Sequence, residues 1–134
     1  MTRTTRWHIA AALALLLLAL LFGALAAFAY LLPSFSDALP FQQLRPAHVS
    51  AALFWIITGA TAGVLHYKDD TFGYRSHVPL HAGFLGLWLA TIVAVFMAYG
   101  LGRFGGREYW EFPPLLALPM LLAWLLLMAH YLLA

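Results

Sequence analysis

Apolar residues fill this chain in four long blocks: Trp7 to Leu32, Pro46 to Tyr67, Pro79 to Gly100 and Pro113 to Leu133. At roughly 1.5 Å per residue each block can cross a hydrocarbon core of about 30 Å. The blocks are continuously apolar rather than alternating, and a span in lipid must pair its own backbone groups, so the pattern predicts α-helices and not barrel strands. Pro46, Pro79 and Pro113-Pro114 mark the expected starts, because the N–H that proline lacks has no partner in a first helical turn anyway. Pro119, inside the last block, predicts a kink or a loosened turn. Arg3 and Arg6 ahead of an Ala/Leu core look like a secretory signal, but the run far outlasts the roughly 7 to 15 residues of a signal core, and it is read as the first helix. The expected fold class is all-α integral membrane: four transmembrane helices in a single membrane domain over residues 1–134, with no internal repeat.

Composition agrees. Of 134 residues 64% are hydrophobic and 9% charged, whereas soluble domains are about half apolar and a quarter charged. A mean hydropathy of +0.87 leaves little chain for an extramembrane domain. The absence of cysteine rules out disulfides, iron–sulfur clusters and thiolate zinc sites. Seven basic residues are scattered singly, so nothing forms a nucleic-acid footprint. With both termini inside, Arg3, Arg6, Lys68 and Arg75 are cytoplasmic and Arg45, Arg103 and Arg107 external, which sets the expected orientation as N-in and C-in. Gly59 to Gly63, and Gly83 with Gly86, form small-residue faces that admit a neighbouring helix or a flat macrocycle.

That topology separates the six histidines. His8, His66, His77, His81 and His130 fall near the inner face, and His48 alone falls near the outer one. His48 stands at the head of the second block with Arg45 three residues earlier, on the same helical face. An ionisable ring entering a membrane is costly and is a functional-site hypothesis by default. A neutral imidazole suits heme iron and an arginine nearer water suits propionates; the plain alternative is a capped histidine and a snorkelling arginine. His77 and His81 are four apart, a spacing that brings two imidazoles to one metal, but no carboxylate joins them, and pendant interfacial histidines are the simpler expectation. Two inner histidines on different helices also leave open a self-sufficient membrane cytochrome b.

The outer loop carries Gly106-Arg107-Glu108-Tyr109-Trp110-Glu111-Phe112-Pro113. Glu108 and Glu111 are three apart, so one helical turn would aim both carboxylates the same way. Two carboxylates beside propionates would call for a cation, and hard oxygen ligands suit calcium. Arg107 could instead neutralise one of them, or the acids could complement the helix dipole beyond Pro113.

Together the two outer clusters resemble a known family. Leu39-Pro40-Phe41-Gln42-Gln43-Leu44-Arg45-Pro46-Ala47-His48-Val49-Ser50 resembles the start of the second helix in the catalytic subunit of heme-copper oxidoreductases, specifically nitric oxide reductases and cbb-type cytochrome oxidases. The run from Gly106 to Pro113 looks like the Gly-Arg-Glu-aromatic-x-Glu segment between helices three and four of nitric oxide reductases. The resemblance implies that His48 is an axial ligand of low-spin heme b, that Arg45 and Arg107 contact its propionates, and that Glu108 and Glu111 lie by a calcium ion. It covers helices one to four of a twelve-helix subunit, and the remaining heme and metal ligands belong to later helices. It therefore implies a chain not catalytic alone, either a fragment or, the preferred reading, one product of a split catalytic subunit whose partner is a larger membrane chain with the second axial histidine and the binuclear centre. The electron donor would be a cytochrome c or a quinol, and the setting the cytoplasmic membrane of a bacterium or archaeon. The Arg45-Pro46-x-His48 form leans toward the cbb-type oxidases, and Gly106-Arg107-Glu108 toward nitric oxide reductases, which are preferred. The competing expectations are an autonomous four-helix cytochrome b and a cofactor-free assembly subunit.

Overall fold

A computed structural model describes residues 3–73, 78–107 and 109–133. The chain forms α1 (Arg3–Leu31), a short α2 (Pro33–Ser36), α3 (Phe41–Phe72), α4 (Val78–Gly100), a 3-10 turn (Pro114–Leu116) and α5 (Ala117–Leu133), with no strand among the described residues. The four long helical segments are each long and apolar enough to span a membrane. α1 lies along α3 and α4 along α5, and the two hairpins meet where α4 touches α1 and α3.

Helix boundaries depart from the proline-based expectation at two places. The second span begins at Phe41, not Pro46, because Pro40 takes the extended N-cap conformation (φ −61°, ψ 132°) and its carbonyl accepts from Gln43 and Leu44 at 2.9 and 3.2 Å. Pro46 therefore sits inside α3 and frees the carbonyl of Gln42 one turn back. The fourth span opens as the 3-10 turn, and Pro119 then falls in the first turn of α5. There its missing N–H has no intrahelical partner to lose, so the expected interior kink becomes a tight entry turn. Pro79, one residue into α4, starts its helix as expected.

Small residues set the helix spacing: a Cβ on Gly59 would stand 3.7 Å from that of Ala12, and one on Gly83 3.7 Å from Leu126. The core is aromatic at α4, where buried Phe84 and Trp88 stack at 6.2 Å, and Phe54 of α3 meets the Trp88 ring edge-on at 5.6 Å. Two polar pairs cross between α3 and α4 in this core, as a lipid setting favours. Trp88 Nε1 donates to Thr58 Oγ1 at 2.9 Å, and the hydroxyls of Ser50 and Tyr99 share a bond of 2.8 Å. These two bonds clamp α3 to α4 at different heights.

Candidate functional site

His48 projects from α3 onto α1. Its Nδ1 lies 2.8 Å from the backbone oxygen of Ala19. A carbonyl can only accept, so Nδ1 carries the hydrogen, and in the neutral ring Nε2 then keeps the lone pair, the form in which an imidazole binds a metal. The ring reaches that carbonyl because Gly23, one turn further along α1, has no side chain: a Cβ there would stand 2.8 Å from His48 Nδ1 and 2.9 Å from Cε1. Glycine inside a helix costs roughly 1 kcal/mol relative to alanine. Here the missing Cβ is the space that the imidazole occupies.

One turn nearer the start of α3, Arg45 Nη2 donates to Glu111 Oε1 at 2.6 Å. The glutamate side chain is 13% exposed and the arginine 49%, so the pair sits at a mouth with the carboxylate inward. Glu111 arrives there by a folded-back loop. α4 ends in a Schellman arrangement, with Arg103 N–H to Ala98 O at 2.8 Å, Gly102 N–H to Tyr99 O at 2.9 Å, and Gly102 left-handed at φ 67°. Gly105 N–H then bonds Glu111 O at 2.5 Å, and a Cβ on Gly105 would collide with the carbonyl oxygen of Phe112. The chain reverses between Arg107 and Trp110, with Trp110 N–H on Arg107 O at 3.1 Å and Tyr109 left-handed at φ 61°. Buried Phe112 anchors the loop against Trp110 and Phe54.

Arg107 does not pair with Glu111 directly, yet it lines the same cavity. That space, about 390 Å³, is bounded by Arg45, Phe104, Gly106, Arg107 and Glu111. Two guanidiniums against one carboxylate leave it net positive among the described residues. Glu108, the other calcium candidate, lies outside the described residues, as does His77. No group of three or more His, Asp or Glu among the described residues is placed to hold a metal ion.

His81, expected with His77 as a pendant interfacial histidine, is instead buried. His8, His81 and His130, from α1, α4 and α5, are buried side by side near the termini. His81 Nε2 is 3.0 Å from His8 Nδ1, and nitrogens that close leave no room for a heme iron between them. The far end of the bundle thus holds His48 with Arg45, Arg107 and Glu111, and no second described histidine faces His48 there. Sequence reasoning found those four but missed Ala19 and Gly23. A lone glycine in an Ala/Leu helix was the available signal for the second; a backbone carbonyl gives none.

A family model described as Cytochrome C and Quinol oxidase polypeptide I matches residues 3–134. No curated protein and no solved structure matches the chain.

Proposed function

The chain belongs to the cytochrome c and quinol oxidase polypeptide I family, the heme-copper oxidase superfamily, and from that premise we propose that it is the heme b-ligating part of a nitric oxide reductase-like complex. His48 would hold the low-spin heme from this chain, and a larger membrane subunit would carry the remaining heme and metal ligands. The observation that carries this reading is the His48 ring held by the Ala19 carbonyl over Gly23, which leaves Nε2 with its lone pair. The residues fit the group: the hydrogen bond at Nδ1 fixes tautomer and ring plane, as the second partner of a metal-bound imidazole does.

A bound low-spin heme supplies a one-electron centre. The chain's own residues position it and set its charge. Arg45 uses one of five guanidinium donors on Glu111, so others remain for a propionate, and Arg107 adds a second cation to the same cavity. Glu111 offsets part of that charge and holds Arg45 in place. The cavity's donor set, cation-rich among the described residues, suits carboxylate groups better than a metal ion. If calcium binds here, Glu111, with Glu108 from the same loop, would be the residues to hold it, as hard oxygen ligands.

The preference for nitric oxide over oxygen rests on the Gly106-Arg107-Glu108 run. The direct hydrogen bond between His8 and His81 counts against the autonomous cytochrome, which needs a heme between inner histidines. A reduced-minus-oxidised spectrum with heme quantitation, taken on the isolated chain and on complexes from native membranes, tests the reading. Heme b in the complex with a second histidine-rich membrane chain supports it; heme in the isolated chain contradicts it.

A further inference from the structure

The other end of the bundle holds ionisable groups that the heme reading leaves unused. His8, His81 and His130 are 0%, 2% and 2% exposed and come from three different helices. The His8 and His81 ring centroids are 4.6 Å apart and those of His81 and His130 5.1 Å, both edge-on. Phe84, one turn along α4 from His81, stacks on His8 at 5.5 Å and closes the cluster toward the membrane interior. Three apolar rings would pack such a junction without the cost of burying imidazole nitrogens in a span, and ionisable residues inside membrane segments mark proton and ion pathways.

We propose that His8, His81 and His130 form a proton-binding site, in which an exchangeable proton drawn from the terminal face is shared across the His8–His81 hydrogen bond. At 3.0 Å between ring nitrogens, one must carry hydrogen and the other present a lone pair. A ring that accepts at one nitrogen and donates from the other passes a proton on without net change: a proton taken at the outer nitrogen of one histidine is matched by one released from the outer nitrogen of its partner. His130, edge-on to His81, feels any charge on the pair, so the three rings titrate as a unit. Buried polar groups of α1 and α3 lie at the same end of the bundle. α1 brings buried Thr5, one turn before His8. α3 brings Lys68, whose Nζ donates to Tyr131 O at 2.9 Å and lies 4.2 Å from the Tyr131 ring centroid, tying α3 to the residue after His130. Asp69, the next residue, is the charged group that acts on this lysine.

The test is nitrogen NMR of the full chain, labelled with ¹⁵N-histidine and held in phospholipid nanodiscs, over about pH 3 to 9, wide enough to include imidazoles whose charged form burial disfavours. The proposal expects scalar coupling between His8 Nδ1 and His81 Nε2, and one shared midpoint for all three histidines. It expects the coupling to be lost in His81→Phe and kept in His130→Gln, with the shared midpoint altered in the latter. Ring signals that do not move, or that move with separate midpoints, would overturn it. So would one equivalent of Zn²⁺ shifting all three rings together, which would make the cluster a metal site. The wild-type coupling and midpoints decide the matter even if His81→Phe does not fold, and neither depends on bound heme.

Discussion

His48 and Gly23 occupy one volume: the imidazole of the first fills the place where a side chain on the second would be, 2.8 Å from Nδ1 to the position of an added Cβ. Through this contact a histidine on one helix is aimed by another, since the same approach gives Nδ1 its bond to Ala19 O. Gly23→Ala should therefore swing the His48 ring off the Ala19 carbonyl. Overpacking of this kind costs about 1–3 kcal/mol. In the assembled complex the low-spin heme signal should broaden, shift in its EPR g-values or fall in amount. An unaltered low-spin spectrum in Gly23→Ala would show that the contact does not position the ligand.

The ion pair between Arg45 and Glu111 makes a prediction about redox potential. Arg45→Ala removes a cation from the cavity and leaves the largely buried Glu111 carboxylate without its hydrogen bond. Loss of positive charge favours the ferric state, so the midpoint potential of the low-spin heme should fall, and Glu111→Gln should move it the opposite way. Potentiometric titration of both variants checks the pair of signs. The structural cost of Arg45→Ala should be about 1–3 kcal/mol, that of an inward polar group stripped of its partner.

Gly105 tests the loop independently of heme. A Cβ there would overlap the Phe112 carbonyl oxygen, so Gly105→Ala must push the Gly105–Glu111 crossing apart and loosen Glu111 from Arg45. Gly86 has open space around its Cβ position, and Gly86→Ala should be neutral or stabilising by up to about 1 kcal/mol. Thermal unfolding and limited proteolysis of the two variants in the same detergent should separate them, with Gly105→Ala alone becoming cleavable in the loop.

Mid-membrane, Thr58→Val removes the acceptor of the Trp88 indole N–H. Hydrogen bonds between helices in lipid average about 0.6 kcal/mol, so the loss should be small. A reversible unfolding titration should show a modestly lowered midpoint, and a cost well above that scale would mean that the α3–α4 clamp bears more of the fold than its geometry implies.

Much of this was legible in the sequence for physical reasons. Continuous apolar blocks gave the four spans, and the sorting of histidines between the two ends is visible from span order alone. What misled was proline: Pro46 reads as a start because first-turn proline is common, yet Pro40 already provides the extended cap six residues earlier. The bond between Arg45 and Glu111 spans 66 positions and required the loop to fold back through Gly102 and Gly105, which residue types hint at but do not specify. Ala19 acts through its backbone and so is silent in sequence. His8, His81 and His130 were visible as helix-end histidines, but only the packing angles of α1, α4 and α5 decide whether they meet or face lipid.

The central claim is that His48 ligates low-spin heme b, and the most direct test is His48→Ala in the assembled complex, with heme quantified and the reduced-minus-oxidised spectrum recorded. The account predicts that the low-spin heme b bands disappear while the partner membrane subunit still copurifies. An unchanged low-spin heme content in a complex carrying His48→Ala would contradict it.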